Sequence, residues 1–203
     1  MEKHITFNYS FKFKDTKEKI FTINLDKDTL NHIDESNTEP AEWTKFCNFR
    51  CPHCPIEKDS ITYCPVALRL EDIITFFSDF PSFTEANILV TTRERVYAKK
   101  GSVQQGVSSL VGLVMASSGC PVMNKLKPLV QFHLPFATLE DTEFRILSMY
   151  LVAQFFRWKK GLEPDWSLEK LSHFYKEIQM TNEYVVFKMN SLESYDSARN
   201  AVT

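Results

Sequence analysis

Four of the five cysteines in this 203-residue chain, Cys51, Cys54, Cys64 and Cys120, are each followed directly by proline, although the chain has only nine prolines. Cysteine thiolates are nucleophiles and metal ligands, and a ligand benefits from a rigid, pre-aimed backbone. Proline fixes its own φ and pushes the residue before it into extended geometry, so the repeated Cys-Pro reads as one set of four donors. The two-residue gap of Cys51-Pro-His-Cys54 lets one tight turn aim two sulfurs at the same ion. Cys64 and Cys120 would complete a four-cysteine site, with Cys47 outside it. The structural alternative is a set of inert, buried cysteines.

Four thiolates suit tetrahedral zinc, the first choice, and Cys-Pro-x-Cys resembles one knuckle of a zinc ribbon, although glycine is usual where Pro55 stands. An iron–sulfur cluster takes the same donors and is the alternative cofactor, in a redox protein or an enzyme. The spacing Cys47-x3-Cys51-x2-Cys54 resembles the cluster loop of radical S-adenosylmethionine enzymes. No alternating βα units follow it and no Gly-Gly-Glu-type stretch appears, so this is the weakest of the three readings.

Outside the cysteines, His133 is the best ligand or acid–base candidate, and a histidine between Phe132 and Leu134 is more often a hydrogen-bonded core residue. His53 is expected to face solvent. Arg93 and Arg95 fit either an anion site or a solvated strand end. No Gly-rich phosphate loop or nucleophile elbow is present, and no pair of carboxylates stands out, so catalysis has little support.

Lys plus Arg number 24 against 26 Asp plus Glu, without a basic block, which argues against nucleic acid as a partner. No stretch has the length of a membrane span and no secretory leader is recognisable, so a cytoplasmic, membrane-free protein is expected. In a reducing compartment an odd cysteine count fits ligands better than disulfides.

The elements that must position these residues form one α+β domain over 1–203. Ile5 to Phe13 and Phe21 to Leu25 alternate with period two across a charged turn, predicting an antiparallel β-hairpin. Ala86, Ile88 and Val90 predict a third strand. Pro65 opens a helix with Cys64 at its N-cap, where amide N–H groups favour thiolate. Ser102-Val-Gln-Gln105 reads as a capping box for a second helix that Gly119 stops. Its small-residue stripe of Gly106, Ser109, Gly112 and Ala116 would admit another helix. Cys120-Pro121 then repeats the Cys64-Pro65 arrangement. Thr138 caps a helix over 139–158 that is apolar on two faces and is expected to be the central buried element of a bundle of about four helices. A weaker helix follows from Leu168, and the polar tail from Ser191 reads as a cap on the bundle. With 43% apolar residues and 17 Phe, the core should be aromatic and should not need metal to form.

The chain resembles a family of uncharacterised bacterial cytosolic proteins. The likeness lies in Trp43-Thr44, Cys51-Pro-His-Cys54-Pro, Cys64-Pro-Val-Ala67, Arg95-Val-Tyr97, Ser118-Gly-Cys120-Pro121, Phe132-His-Leu-Pro-Phe136 and Asn200-Ala201, and spans most of the sequence. The resemblance implies the same grouping of Cys51, Cys54, Cys64 and Cys120, places His133 near the site and leaves Cys47 incidental. It implies no activity, substrate or ligand.

Overall fold

The strictly alternating N-terminal segment folds as predicted: β1 (His4–Phe13) pairs antiparallel with β2 (Glu18–Asp26), with Tyr9 opposite Phe21. A computed structural model describes residues 3–14, 17–33 and 39–191. On its other edge β1 pairs with β3 (Glu85–Thr91), and β3 pairs with β4 (Val96–Ser102), giving an antiparallel sheet of order β2-β1-β3-β4. The architecture is α+β, the sheet packing on helices. Period-two side chains Tyr9, Phe11, Phe21, Leu25, Ile88 and Val90 are buried on one face.

Two helices cover that face. α1 (Pro65–Phe77) brings Phe77 within 4.9 Å of the Phe11 ring and 5.7 Å of the Phe21 ring, the centre of the expected aromatic core. Phe13 and Phe80 stack at 4.6 Å beside it. Such ring pairs add about 0.5–1.5 kcal/mol each beyond the area they bury. α2 (Val103–Ala116) lies against the sheet at Gly106, where a Cβ would stand 2.5 Å from Phe11 Cε1 and 2.7 Å from Ile88 Cδ1. The small residue there admits the sheet, not a second helix as expected.

β4 was not foreseen. It is an edge strand carrying Lys99 and Lys100 and little buried surface, so the apolar alternation that reveals inner strands is weak. Because Ser102 ends that strand, it forms no side-chain cap on α2, contrary to the capping-box expectation. The first amides of α2 are satisfied instead by the preceding loop, Val103 N–H donating to Thr84 O at 2.8 Å and Gln104 N–H to Ser82 O at 3.1 Å. Arg93 and Arg95 lie at the β3–β4 turn, Arg93 beside Glu94.

After a short α3 (Lys127–Gln131) come the two longest helices, α4 (Leu139–Lys159) and α5 (Glu169–Ser191). Thr138 caps α4 with Asp141 in a reciprocal capping box, as its position suggested. Their turn is fastened by Asp165, which accepts from Tyr150 Oη at 2.7 Å while its own amide donates to Gln154 at 2.9 Å. The expectation that α4 is the central buried element is overturned: Gln154 is its one buried residue. Ile146, Met149 and Ala153 lean toward Leu171, Phe174 and Ile178 of α5, and the opposite apolar face stands in solvent. Helices apolar on both sides need two covers, and here the described residues supply one. No described helix is long and apolar enough to cross a membrane. The tail beyond Ser191, with Asn200-Ala201, lies outside the described residues.

Candidate metal centre

The four Cys-Pro cysteines lie on three segments. The first is the loop between residues 45 and 63, whose ends are pinned by an isolated bridge of Lys45 with Tyr63. Phe46 N–H donates to Thr62 O and Cys64 N–H to Thr44 O, both at 2.9 Å. Within this loop Cys54 N–H donates to Cys51 O at 3.0 Å, the tight turn expected of the two-residue spacing. The Arg50 guanidinium braces the turn by donating to Ile56 O at 3.2 Å and Cys54 O at 3.4 Å.

The second and third segments are the N-terminus of α1 and the turn after α2. α2 closes at its C-cap Ser117, not at Gly119 as expected, and Gly119, two residues on, takes φ +91°, a left-handed turn that leads into Cys120. Cys64 O accepts from Leu68 N–H at 3.0 Å, and Cys120 O from Asn124 N–H at 2.8 Å. Each sulfur also faces amides two and three residues on, Val66 and Ala67 for Cys64 and Val122 and Met123 for Cys120. These N–H groups favour thiolate, though no full capping hydrogen bond forms at Cys64. After Cys120 the chain makes a 3-10 turn, Met123–Leu126, in place of a full α-helical start.

Cys64 and Cys120 are buried, Cys51 and Cys54 half-buried and Cys47 exposed, all as free thiols. Burial, followed by the charges of Cys64, Cys120 and Cys54, pushes the Cys51 thiol up to about 12. Burial pushes Cys64 up to about 11 against its amide neighbours, with Cys120 and Cys54 adding to the rise. Cys120 is raised by burial and by Cys54. The four sulfurs are therefore within electrostatic reach of one another, and Cys47 has no part in the set. Among the described residues no group of three or more His, Cys, Asp and Glu side chains stands in ion-holding geometry. Burial holds the raised Cys51, Cys64 and Cys120 thiols in their protonated form. Ionising them together in a buried site needs a compensating cation.

α5 forms the outer wall. Tyr184 is raised by burial and by the charges of Cys51 and Cys64, and its ring meets Phe49 edge-on at 5.9 Å. His53 bonds through Nε2 to Thr181 Oγ1 at 2.9 Å, so the expectation that it faces solvent fails. Thr181 and Tyr184 escaped the sequence reading. The signal was the buried stripe Ile178, Thr181, Val185 and Met189, whose spacing places Thr181 inside.

His133 belongs to a different place. Its Nε2 meets Tyr9 Oη at 2.5 Å, Tyr9 Oη meets Ser109 Oγ at 2.9 Å, and Phe136 N–H donates to Ser109 Oγ at 3.3 Å. Burial, then the Arg145 charge, lowers His133 to about 3, so it is neutral. The two hydroxyls and Nε2 form one consistent chain when Ser109 donates to Tyr9 and Tyr9 donates to Nε2. This is the hydrogen-bonded core histidine of the bland reading, in the wall of a cavity of about 280 Å³ between α2, α3 and α4.

A four-stranded antiparallel sheet under helices defines an α+β protein. By sequence the chain belongs to the family described as "Domain of unknown function (DUF6901)", which matches residues 7–203. No curated protein matches it, and no solved structure does.

Proposed function

We propose that this is a non-catalytic metal-binding protein in which Cys51, Cys54, Cys64 and Cys120 hold one structural zinc ion. The observation that supports the reading is the mutual charge interaction of Cys51, Cys54, Cys64 and Cys120, which lie on three sequence-distant segments, two of them with matched backbone amides. The donor chemistry fits: four thiols are what tetrahedral zinc takes, and the amides of Val66, Ala67, Val122 and Met123 would share the thiolate charge. When bound, zinc supplies a cross-link and a counter-charge. This chain's own residues do the rest. Arg50 shapes the Cys51–Cys54 turn, Gly119 aims Cys120, and Tyr184 of α5 and Phe49 of the loop keep water away. The ion would tie the 51–64 loop to the Gly119-Cys120 turn within a single domain over 1–203. A bacterial, cytosolic setting belongs to the same proposal.

Purification without oxygen, followed by elemental analysis and an absorption spectrum, tests the assignment. One zinc per chain and a colourless protein are expected. A brown protein absorbing near ~400 nm, with stoichiometric iron and sulfide, overturns zinc in favour of the cluster. A metal-free protein whose melting temperature ignores added zinc overturns the metal reading altogether.

A further inference from the structure

The outward face of α4 carries Phe144, Leu147, Leu151, Phe155 and Trp158, with exposures of 72, 41, 40, 42 and 57%. At about 100° per residue these five fall within roughly 80° of arc, opposite the Ile146, Met149 and Ala153 face that leans on α5. With Val152 beside them, at ~200 Å² per aromatic ring the exposed apolar area is roughly 600 Å². That stands at the top of the ~300–600 Å² of the largest patch on a typical monomer and approaches the ~800 Å² each partner gives to a standard interface.

Two features of the sequence say what covers it. The steps along the stripe, three, four, four and three residues, read the same in both directions about Leu151. A second α4 laid antiparallel would therefore set Leu151 against Leu151, Leu147 against Phe155 and Phe144 against Trp158. The charges obey the same symmetry. Glu140, Asp141 and Glu143 occupy the first turns of α4, and Arg157, Lys159 and Lys160 its end. In the antiparallel pair Glu143 approaches Arg157 of the other copy on one flank, and Asp141 approaches Lys159 on the other. The two helix dipoles also oppose favourably. A parallel pair would stack like charges at both ends.

We propose that the chain forms a two-fold symmetric homodimer through antiparallel pairing of α4, centred on Leu151. The apolar seam supplies the attraction and the end charges fix the direction. The metal reading is independent of this, since the cysteine cluster lies elsewhere.

Sedimentation velocity at tens of micromolar should give twice the chain mass of 23.6 kDa. Leu151→Glu, which would put two carboxylates at the symmetry axis, should give one chain mass with an unchanged far-ultraviolet spectrum. A second measurement stands if that variant fails to fold. Phe144→Cys and Trp158→Cys proteins, mixed and oxidised, should cross-link to each other beyond the wild-type background, and neither should do so alone. A monomeric wild type overturns the proposal, including one that floats with anionic vesicles, for which the face would be a membrane-surface contact. Self-cross-linking of Phe144→Cys overturns the antiparallel register.

Discussion

Cys64 and Cys120 share one local geometry: each precedes a proline and a valine, each carbonyl accepts from the amide four residues on, and each sulfur faces the amides two and three residues on. The match is of backbone, imposed by Cys-Pro-Val in both places. One of them opens α1 and the other follows the glycine turn after α2, so the likeness is not inherited from one element type.

If the four Cys-Pro cysteines share one ion, Cys120→Ser should lose metal as severely as Cys51→Ser, while Cys47→Ser, exposed and outside the cluster, keeps it. A ligand present at 100 times its dissociation constant stabilises by about 2.7 kcal/mol. At roughly 2–4 °C per kcal/mol for a chain of this size, the losing variants should melt at least about 5 °C lower. Metal content and melting temperature of the five serine variants at one chelator concentration decide it. Full retention by Cys120→Ser with loss in Cys47→Ser would move the site to the 47–54 loop.

His133 should make the fold acid-sensitive. Its folded value is depressed to about 3 from an ordinary 6.5, so the neutral ring contributes stability that is complete above about pH 6.5 and declines as pH falls toward 3. Over that window the loss is at most about 1.4 kcal/mol per pH unit for one proton. In His133→Gln this contribution should vanish, leaving a flatter acid limb in denaturant titrations between pH 6 and pH 4, a lower stability at pH 7 and most of the metal retained. An acid limb as steep as wild type would show that other groups govern it.

Tyr9→Phe removes the hydroxyl that joins His133 to Ser109, taking from His133 Nε2 its tyrosine partner and leaving Ser109 Oγ with the Phe136 amide. A cost of about 1–3 kcal/mol is expected from urea unfolding. An unchanged midpoint would mean that the network is idle.

Two glycines of α2 should respond in opposite directions to alanine. Gly106→Ala forces a methyl into Phe11 and Ile88, with an expected loss of about 1–3 kcal/mol. Gly112 has nothing within 4 Å of a Cβ, so Gly112→Ala should gain up to about 1 kcal/mol of helix propensity. Thermal unfolding of the pair reads both signs, and equal signs would contradict the packing of α2 on the sheet.

What the sequence determined by itself is local in its physics. The period-two run of β1 and β2 can bury one face only as a hairpin, Pro65 and Thr138 start helices because their backbone and side-chain chemistry acts within one turn, and Cys-Pro fixes the aim of each sulfur. The recurring dipeptide singles out four cysteines, and their sharing of one ion stands as the proposal that the serine variants test. Tertiary structure alone decided the rest. β4 has little pattern because its neighbour, not its own side chains, holds it in the sheet. Ser102 is no cap because Thr84 and Ser82 reached the amides of α2 first, and His53 found Thr181 on a helix far along the chain. α4 is the plainest case. A helix apolar on two faces states that it needs two covers, but whether each comes from its own chain depends on where the other elements lie, and periodicity carries no information about distance in space.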